Sequence, residues 1–262
     1  MLGILDGTVL PADEVRIPAT DEGLLRGDGV FEVMRLYDGR PFAIDDHLER
    51  MARSASNLLL PLDTEAVRAD IHALLEAGRP SDGVVRVLVT RGGHRIGFLE
   101  PLHELPDTLA LKTITYAPTR ILDGVKSLSY GANMLATRLA EQDGADEALL
   151  VTPHGRVLEA PTSSFFCSLD GTTLVTPPLD DHILASITRG RLLQACEIAE
   201  RSIAADELGE VREAFLASTV REVLPVRSID GRELPVVGGP LTTDADERVR
   251  AHIAQELGAA AR

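Results

Sequence analysis

An α/β protein with α+β character, in two domains, is the fold the sequence predicts. Three observations carry that prediction. Asp-Gly pairs stand at Asp6-Gly7, Asp38-Gly39, Asp170-Gly171 and Asp230-Gly231, each flanked by apolar or alternating residues; the tight turns that join antiparallel strands need positive φ, which these residues tolerate. Between the early pairs and the next strand, apolar residues recur at helical rather than alternating spacing. At 262 residues with 44% apolar side chains, the chain exceeds the usual size of one domain, and each half is long enough to bury a core.

The first two Asp-Gly pairs turn the early hairpins. Leu48, Met51, Ala52, Ala55 and Leu58 then share one helical face, which predicts a helix over Asp46–Leu60 with Asp46 as its N-cap. A second helix is predicted over Glu65–Ala77. Val84–Arg91 and Leu109–Tyr116 read as strands, the first followed by a Gly-rich loop over Arg91–Gly97. Residues 117–124 contain Pro118 and no period, so they are the predicted linker between an N-terminal α/β domain (1–116) and a C-terminal domain (125–262). The second domain is expected to hold helices over Ala132–Gln142, Ser186–Glu200 and Thr243–Leu257. Short strands are expected up to Val175 and over Ala214–Ser218 and Val223–Ser228.

A formal charge of -15 argues against a nucleic-acid partner, because a phosphate backbone is bound by clustered Lys and Arg. Cys167 and Cys196 stand far apart with no pairing spacing, so both are expected as core thiols, and no metal site is expected. The N-terminal stretch shows no basic start before a long apolar run, and no segment reaches the roughly 20 apolar residues that cross a bilayer. The expectation is a soluble cytoplasmic protein with no membrane partner. Only two residues are lysines, Lys112 and Lys126, against 24 arginines. Arginine keeps its proton, whereas a desolvated lysine becomes a neutral nucleophile, so a lysine retained in such a chain is a candidate for chemistry.

Lys126 lies in GVKSLSYGAN, at the end of a short strand and before a helix, where a side chain projects into a cleft. Taken alone it is an ordinary surface lysine. Arg50 in DHLER reads alone as a solvated helix face, and Glu159 in RVLEAPTSSFF as a solvated turn carboxylate. ASITRG opens a helix with Ser186, Ile187 and Thr188, and ASTV places Ser218 and Thr219 after a strand. Helix N-termini and turn amides hold phosphate, yet Ser and Thr cap helices so often that either segment alone reads as structural.

Taken in order, the segments carry more. RGDGVFEVMRLYDGRPF with DDHLERM, KSLSYGANMLA, GADEALLVTPHGRVLEAPTSSFF, ILASITR and FLASTVREVLPV run over almost the whole chain. The set resembles the class IV aminotransferases, the fold-type IV pyridoxal-phosphate enzymes that include D-amino-acid transaminases, branched-chain aminotransferases and aminodeoxychorismate lyases. The resemblance implies a C-terminal β-rich pseudobarrel domain with flanking helices, pyridoxal 5′-phosphate as cofactor, amino-acid and 2-oxo-acid substrates, and a homodimer. It implies Lys126 as the catalytic residue, forming the Schiff base to the cofactor and moving the α-proton. Glu159 would face the pyridine nitrogen and keep it protonated. Arg50, Ile187 through its backbone, Thr188 and Thr219 would hold the phosphate, Ser163 and Ser218 would line the same cofactor site, and Leu184 would pack on the ring. Ser164 stands where family members commonly have Asn. Gly131 aligns with the phenol that contacts O3′ in branched-chain enzymes, so either the adjacent Tyr130 substitutes or the contact is absent.

The substrate residues depart further. D-amino-acid transaminases carry a Tyr in the GDGVYE block, where this chain has Phe31, and an Arg-x-His pair in the loop after VTRG, where the shorter TRGGHRIG aligns Arg95 with the Arg and Gly97 with the His. The substrate carboxylate is therefore expected on a different arginine set: Arg26, Arg86, and Arg95 or Arg91. Arg86 interrupts a strand of Val and Leu, which requires a partner or a cleft. Val33 occupies the place of a Thr that the lyases use in eliminating pyruvate, which favours transamination of a D-amino acid. The segments KSLSY and LEAPTS are lyase-like, so an aminodeoxychorismate lyase is the alternative and a branched-chain L-enzyme the third reading.

Overall fold

The computed structural model describes residues 1–258. They form two compact units, Met1–Glu104 with Gly124–Tyr130, and Leu105–Asp123 with the residues from Gly131 onward.

The first unit is built on a six-stranded antiparallel sheet in the order β2-β1-β6-β5-β3-β4. Its strands are β1 (Leu2–Leu5), β2 (Thr8–Pro11), β3 (Gly29–Tyr37), β4 (Arg40–Pro41), β5 (Gly83–Thr90) and β6 (Arg95–Glu100), with helices α1 (Glu22–Arg26), α2 (Ile44–Asn57) and α3 (Thr64–Gly78). Alternation decides which face is covered. Val30, Met34 and Leu36 of β3 and Val85, Val87 and Val89 of β5 meet Leu48, Met51 and Ala55 of α2 and Val67, Ile71 and Leu74 of α3 in one core. The other face carries Phe31, Val33, Arg86 and Leu88, with Val33 opposite Arg86 and Phe31 opposite Leu88.

The turns at Asp6-Gly7 and Asp38-Gly39 have positive φ at both residues, as expected of such hairpins. α2 begins at Ile44 after a left-handed Ala43, two residues before the predicted Asp46 cap. α3 is capped by Asp63, whose carboxylate accepts the Glu65 and Ala66 amides. The Gly-rich loop is shorter than predicted, because Arg95 and Ile96 already pair with Val89 and Leu88.

The second unit holds a ten-stranded sheet. Its elements are β7 (Leu109–Thr115), α4 (Gly131–Gln142), β8 (Glu147–Val151), β9 (Arg156–Val157), β10 (Ser164–Ser168), β11 (Leu174–Thr176), α5 (Ile187–Ala195), β12 (Ile198–Glu200), β13 (Ile203–Ala204), β14 (Glu213–Ser218), β15 (Glu222–Ile229), β16 (Arg232–Glu233) and α6 (Pro240–Glu256). The sequence places Leu109–Tyr116 at the close of the first domain; instead β7 lies between β8 and β15, parallel to both, because its apolar residues join Leu149, Val226 and Ile229 in the second core. The helix expected to reach Glu200 ends at Ala195, where Cys196 turns extended, and Ile198–Glu200 pairs with β11. α6 starts earlier than expected because Pro240 suits a first turn that needs no N–H. At the third Asp-Gly pair only Gly171 has positive φ. Asp170 instead accepts the Thr172 and Thr173 amides, which hold its carboxyl below the usual range.

No described helix is long and apolar enough to cross a membrane, and the described residues contain no cluster of three or more metal-ligating side chains.

Candidate active site

Lys126 belongs to the first unit although the chain on both sides of it belongs to the second. Residues 126–128 run beside the start of β3. Phe31 N–H donates to the Lys126 carbonyl at 3.1 Å, Val30 bridges Ser127, and Leu128 N–H donates to the Gly29 carbonyl at 2.9 Å. The glycines of RGDG permit this approach. A Cβ on Gly29 would press into the Val89 carbonyl on one side and Leu128 on the other, and Gly27 has φ of 69° with Ser129 against it. The Lys126 N–H donates to Ser54 Oγ of α2 at 3.1 Å. The Lys126 amine stands 4.4 Å from the Phe31 ring centroid and 5.9 Å from that of Tyr130, two rings set edge to face at 5.3 Å.

Beneath β3 lies a buried charge cluster. Glu32 is on the helix-covered face, and its carboxylate takes Arg50 Nε and Nη2, both at 2.7 Å, and His47 Nδ1 at 2.7 Å. Burial alone would raise the Glu32 pKa, but the Arg50 charge and hydrogen bonds, with the His47 contact, hold it down at about 2. His47 is lowered, chiefly by burial, so its neutral ring donates from Nδ1 and leaves Nε2 as an acceptor without a partner among the described residues. Arg50 is thereby fixed as a bidentate partner of Glu32.

In the second unit, Glu159 follows β9, and its Oε1 accepts the Leu184 N–H at 2.8 Å. Tyr116 shares its surroundings: burial, then the Glu159 charge, raises the phenol pKa. α5 opens on Ile187 and Thr188 after Ser186, whose Oγ caps the Arg189 amide. First-turn amides have no intrahelical acceptor, and Thr188 is buried among them. Ser163 and Ser218 meet on one residue the sequence did not single out, Arg221. Its Nη1 donates to Ser163 Oγ at 3.0 Å, its amide to Ser218 Oγ at 3.2 Å, and its Nη2 to the buried Glu147 carboxylate at 2.8 Å. Thr219 sits in the turn that Arg221 closes.

Each arginine expected for a substrate carboxylate already holds a carboxylate of this chain. Arg86 is bidentate to Glu100 at 2.7 and 3.1 Å, Arg95 is tied to the buried Asp70 at 2.8 Å, and Arg91 pairs with Asp28. The partner that Arg86 required is thus Glu100. Arg26 differs, for its pair is an exposed one with Glu22, a turn away on α1, a kind of bridge worth little in water. Its carbonyl, with that of Gly27, accepts the Ser129 hydroxyl, so the Arg26 backbone is bound to the lysine strip.

A cavity of about 440 Å³ in the second unit, lined by Thr113, Val151, Leu208, Asp230 and Arg232 among others, includes none of the predicted site residues. Asp230 there is engaged by Thr113, and Arg232 by the Leu208 and Val211 carbonyls.

The family model for amino-transferase class IV matches residues 29–229. The chain is 30% identical to a D-alanine aminotransferase of Bacillus licheniformis over 277 residues, covering 97% of each. Among solved structures it is similar to a fold IV transaminase from Curtobacterium pusillum, with a TM-score of 0.81, 31% identity and 92% of each chain covered. It is similar also to 4-amino-4-deoxychorismate lyase from Pseudomonas aeruginosa, with a TM-score of 0.80, 30% identity, and 95% of this chain and 98% of that one covered.

Proposed function

The chain belongs to the class IV aminotransferases, and on that premise we propose that it transfers an amino group between a D-amino acid and a 2-oxo acid, with its cofactor attached to Lys126. The family's cofactor is pyridoxal 5′-phosphate, and the residues present fit it. In the second unit the first-turn amides of α5 and the Thr188 and Thr219 hydroxyls, and in the first unit the Arg50 guanidinium, are each groups that would hold a phosphate. Ser164 Oγ is buried with no partner among the described residues, a polar atom left for a group that is not protein. When bound, the cofactor supplies an electron sink for the charge that develops at the substrate α-carbon.

The observation that carries the reading is the Lys126 amine, held over Phe31 by a strip whose N–H and carbonyl are both bonded. Lys126 would hold the cofactor through its amine and would move the proton at the substrate α-carbon. Glu159, oriented by the Leu184 amide, would keep a proton on the cofactor's ring nitrogen, and Leu184 would pack on the ring. Arg50 meets the phosphate with its orientation preset by Glu32. Ser163, Ser218 and the Ile187 amide complete the cradle. Phe31 and Tyr130 set their rings beside the amine.

Arg26 is the arginine best suited to the substrate carboxylate, because its exposed pair with Glu22 is readily given up while Arg86 and Arg95 are fastened to partners. Val33 shares the face of Phe31 and brings no hydroxyl, which supports transamination over elimination. The lyase is the second reading, supported by the 30% identity to the Pseudomonas aeruginosa enzyme. The protein is taken as a cytoplasmic homodimer. Leu24 and Leu25, apolar and more than half exposed on α1 beside Arg26, support a partner surface there.

The test is direct. Holoenzyme reduced with borohydride and digested is expected to carry the cofactor on Lys126, and Lys126→Ala is expected to lose both the label and the visible absorbance. Incubated with D-alanine, D-glutamate, L-leucine and aminodeoxychorismate, it is expected to release pyruvate from D-alanine. Release of p-aminobenzoate at the faster rate would replace transamination by the lyase reading.

A further inference from the structure

We propose that Ser54 is the positioning residue of the cofactor-bearing lysine: its hydroxyl oxygen, by accepting the Lys126 main-chain N–H, sets where the amine stands and how tightly the cofactor is held. The proposal rests on Lys126 being that lysine.

Ser54 is completely buried on α2, in line with His47 and Arg50 at steps of three and four residues. Serine is a weak choice for a helix interior, since its hydroxyl competes for backbone bonds. Met51 and Ala55 around it are core residues, so a hydroxyl there requires a partner, and the partner is the Lys126 N–H. The ladder with β3 begins at the Lys126 carbonyl, and the Lys126 N–H before it is bonded by α2. Upstream the chain arrives through exposed residues and Gly124, whose φ is 70° and which has nothing within 4 Å of a Cβ position. Downstream of Lys126 the pairing with β3 guides the strip; at its upstream end the Ser54 hydroxyl takes the Lys126 N–H.

The spacing along α2 turns this bond into a control on binding. Arg50 and Ser54 are about one helical turn, roughly 5.4 Å, apart. Arg50 is tied to Glu32 of β3, and Ser54 is tied to the lysine whose carbonyl is held by the next residue of β3, Phe31. One rigid frame therefore sets the separation between the guanidinium that meets the phosphate and the amine that meets the aldehyde carbon. A ligand carrying both groups must satisfy both at once, so loosening one end lowers affinity for the whole ligand while leaving affinity for phosphate alone.

The experiment uses the full chain stripped of cofactor, as wild type and as Ser54→Ala, Ser54→Cys and Ser54→Thr. Each is titrated with pyridoxal 5′-phosphate, quenched with borohydride at every point and digested; Lys112, the only other lysine, is the internal reference. Label is expected on Lys126. Half-saturation is expected to rise about three- to tenfold in Ser54→Ala, the effect of one neutral hydrogen bond. Ser54→Cys, with a weak sulfur acceptor, is expected to fall in between, and Ser54→Thr to stay within about twofold of wild type. The thermal shift produced by inorganic phosphate is expected to be the same in all four. Wild-type loading by Ser54→Ala, or by Ser54→Cys if the alanine variant does not accumulate folded, overturns the proposal. So does a matching loss of the phosphate shift, which marks a general collapse. Wild-type label on Lys112, or on neither lysine, overturns the assignment of Lys126 itself and is distinguished from both.

Discussion

Phe31 and Val33 on either side of Glu32 stand on the opposite face of the strand, whereas Glu32 stands with Val30 and Met34 on the face covered by α2. A carboxylate in that position is costly unless paired, and Arg50 and His47 supply the pairing. Glu32→Gln keeps the shape but removes the charge that faces the buried Arg50 guanidinium. It is expected to destabilise the apo protein by about 3 kcal/mol in urea unfolding and to weaken cofactor loading; unchanged stability would show that the pair breaks even. Lys126, Arg50, Glu159 and the α5 opening enter the proposed site because motif order in the sequence carried them. Glu32, His47 and Ser54 were legible only as polar residues on apolar faces, a signal readable from periodicity once the strand and helix are in register. Arg221 gave no such signal, since its partners Glu147 and Ser163 are 74 and 58 residues away.

Elements with strong local rules were read from sequence: the positive-φ hairpins at Asp6-Gly7, Asp38-Gly39 and Asp230-Gly231, the amphipathic α2 and the closing helix. Those decided by distant pairing were not. An apolar strand such as β7 fits either sheet, and only its partners β8 and β15 assign it. The stretch after Ala195 carries helical spacing, but Ile198–Glu200 gains a strand neighbour in β11 and leaves the helix. α5 matters most because its first turn supplies amides to the proposed phosphate site. Ser186→Ala removes the cap on the Arg189 amide and is expected to cost about 1 kcal/mol, read as a fall of roughly 2–4 °C in melting temperature, with a larger loss in the presence of phosphate than in its absence.

Acid bears on the molecule as a whole through the cluster under β3. Glu32 is held at about 2 against an ordinary 4.5, so the stability it contributes is complete above pH 4.5 and disappears as pH falls toward 2. His47 is depressed below 6.5, so the unfolded chain takes its proton first, and stability starts to decline as pH falls through 6.5. Unfolding midpoints are expected to be flat above pH 7 and to fall in two stages below it; a rise on acidification through pH 6.5 would contradict the burial of a neutral His47. The thiols differ in access, since Cys167 is buried and pushed up to about 12 while Cys196 is half-buried. A disulfide reagent at neutral pH is expected to titrate one thiol slowly in the native protein and two after unfolding. The lysine strip has one more consequence, in the order of synthesis. The first unit is interrupted after Glu104 and recovers its last piece only at Gly124–Tyr130. A nascent chain that has emerged only as far as Glu104 therefore carries β3 with its leading edge bare, an open template for strand pairing with another chain. The segment that brings the reactive amine is the same one that closes that edge.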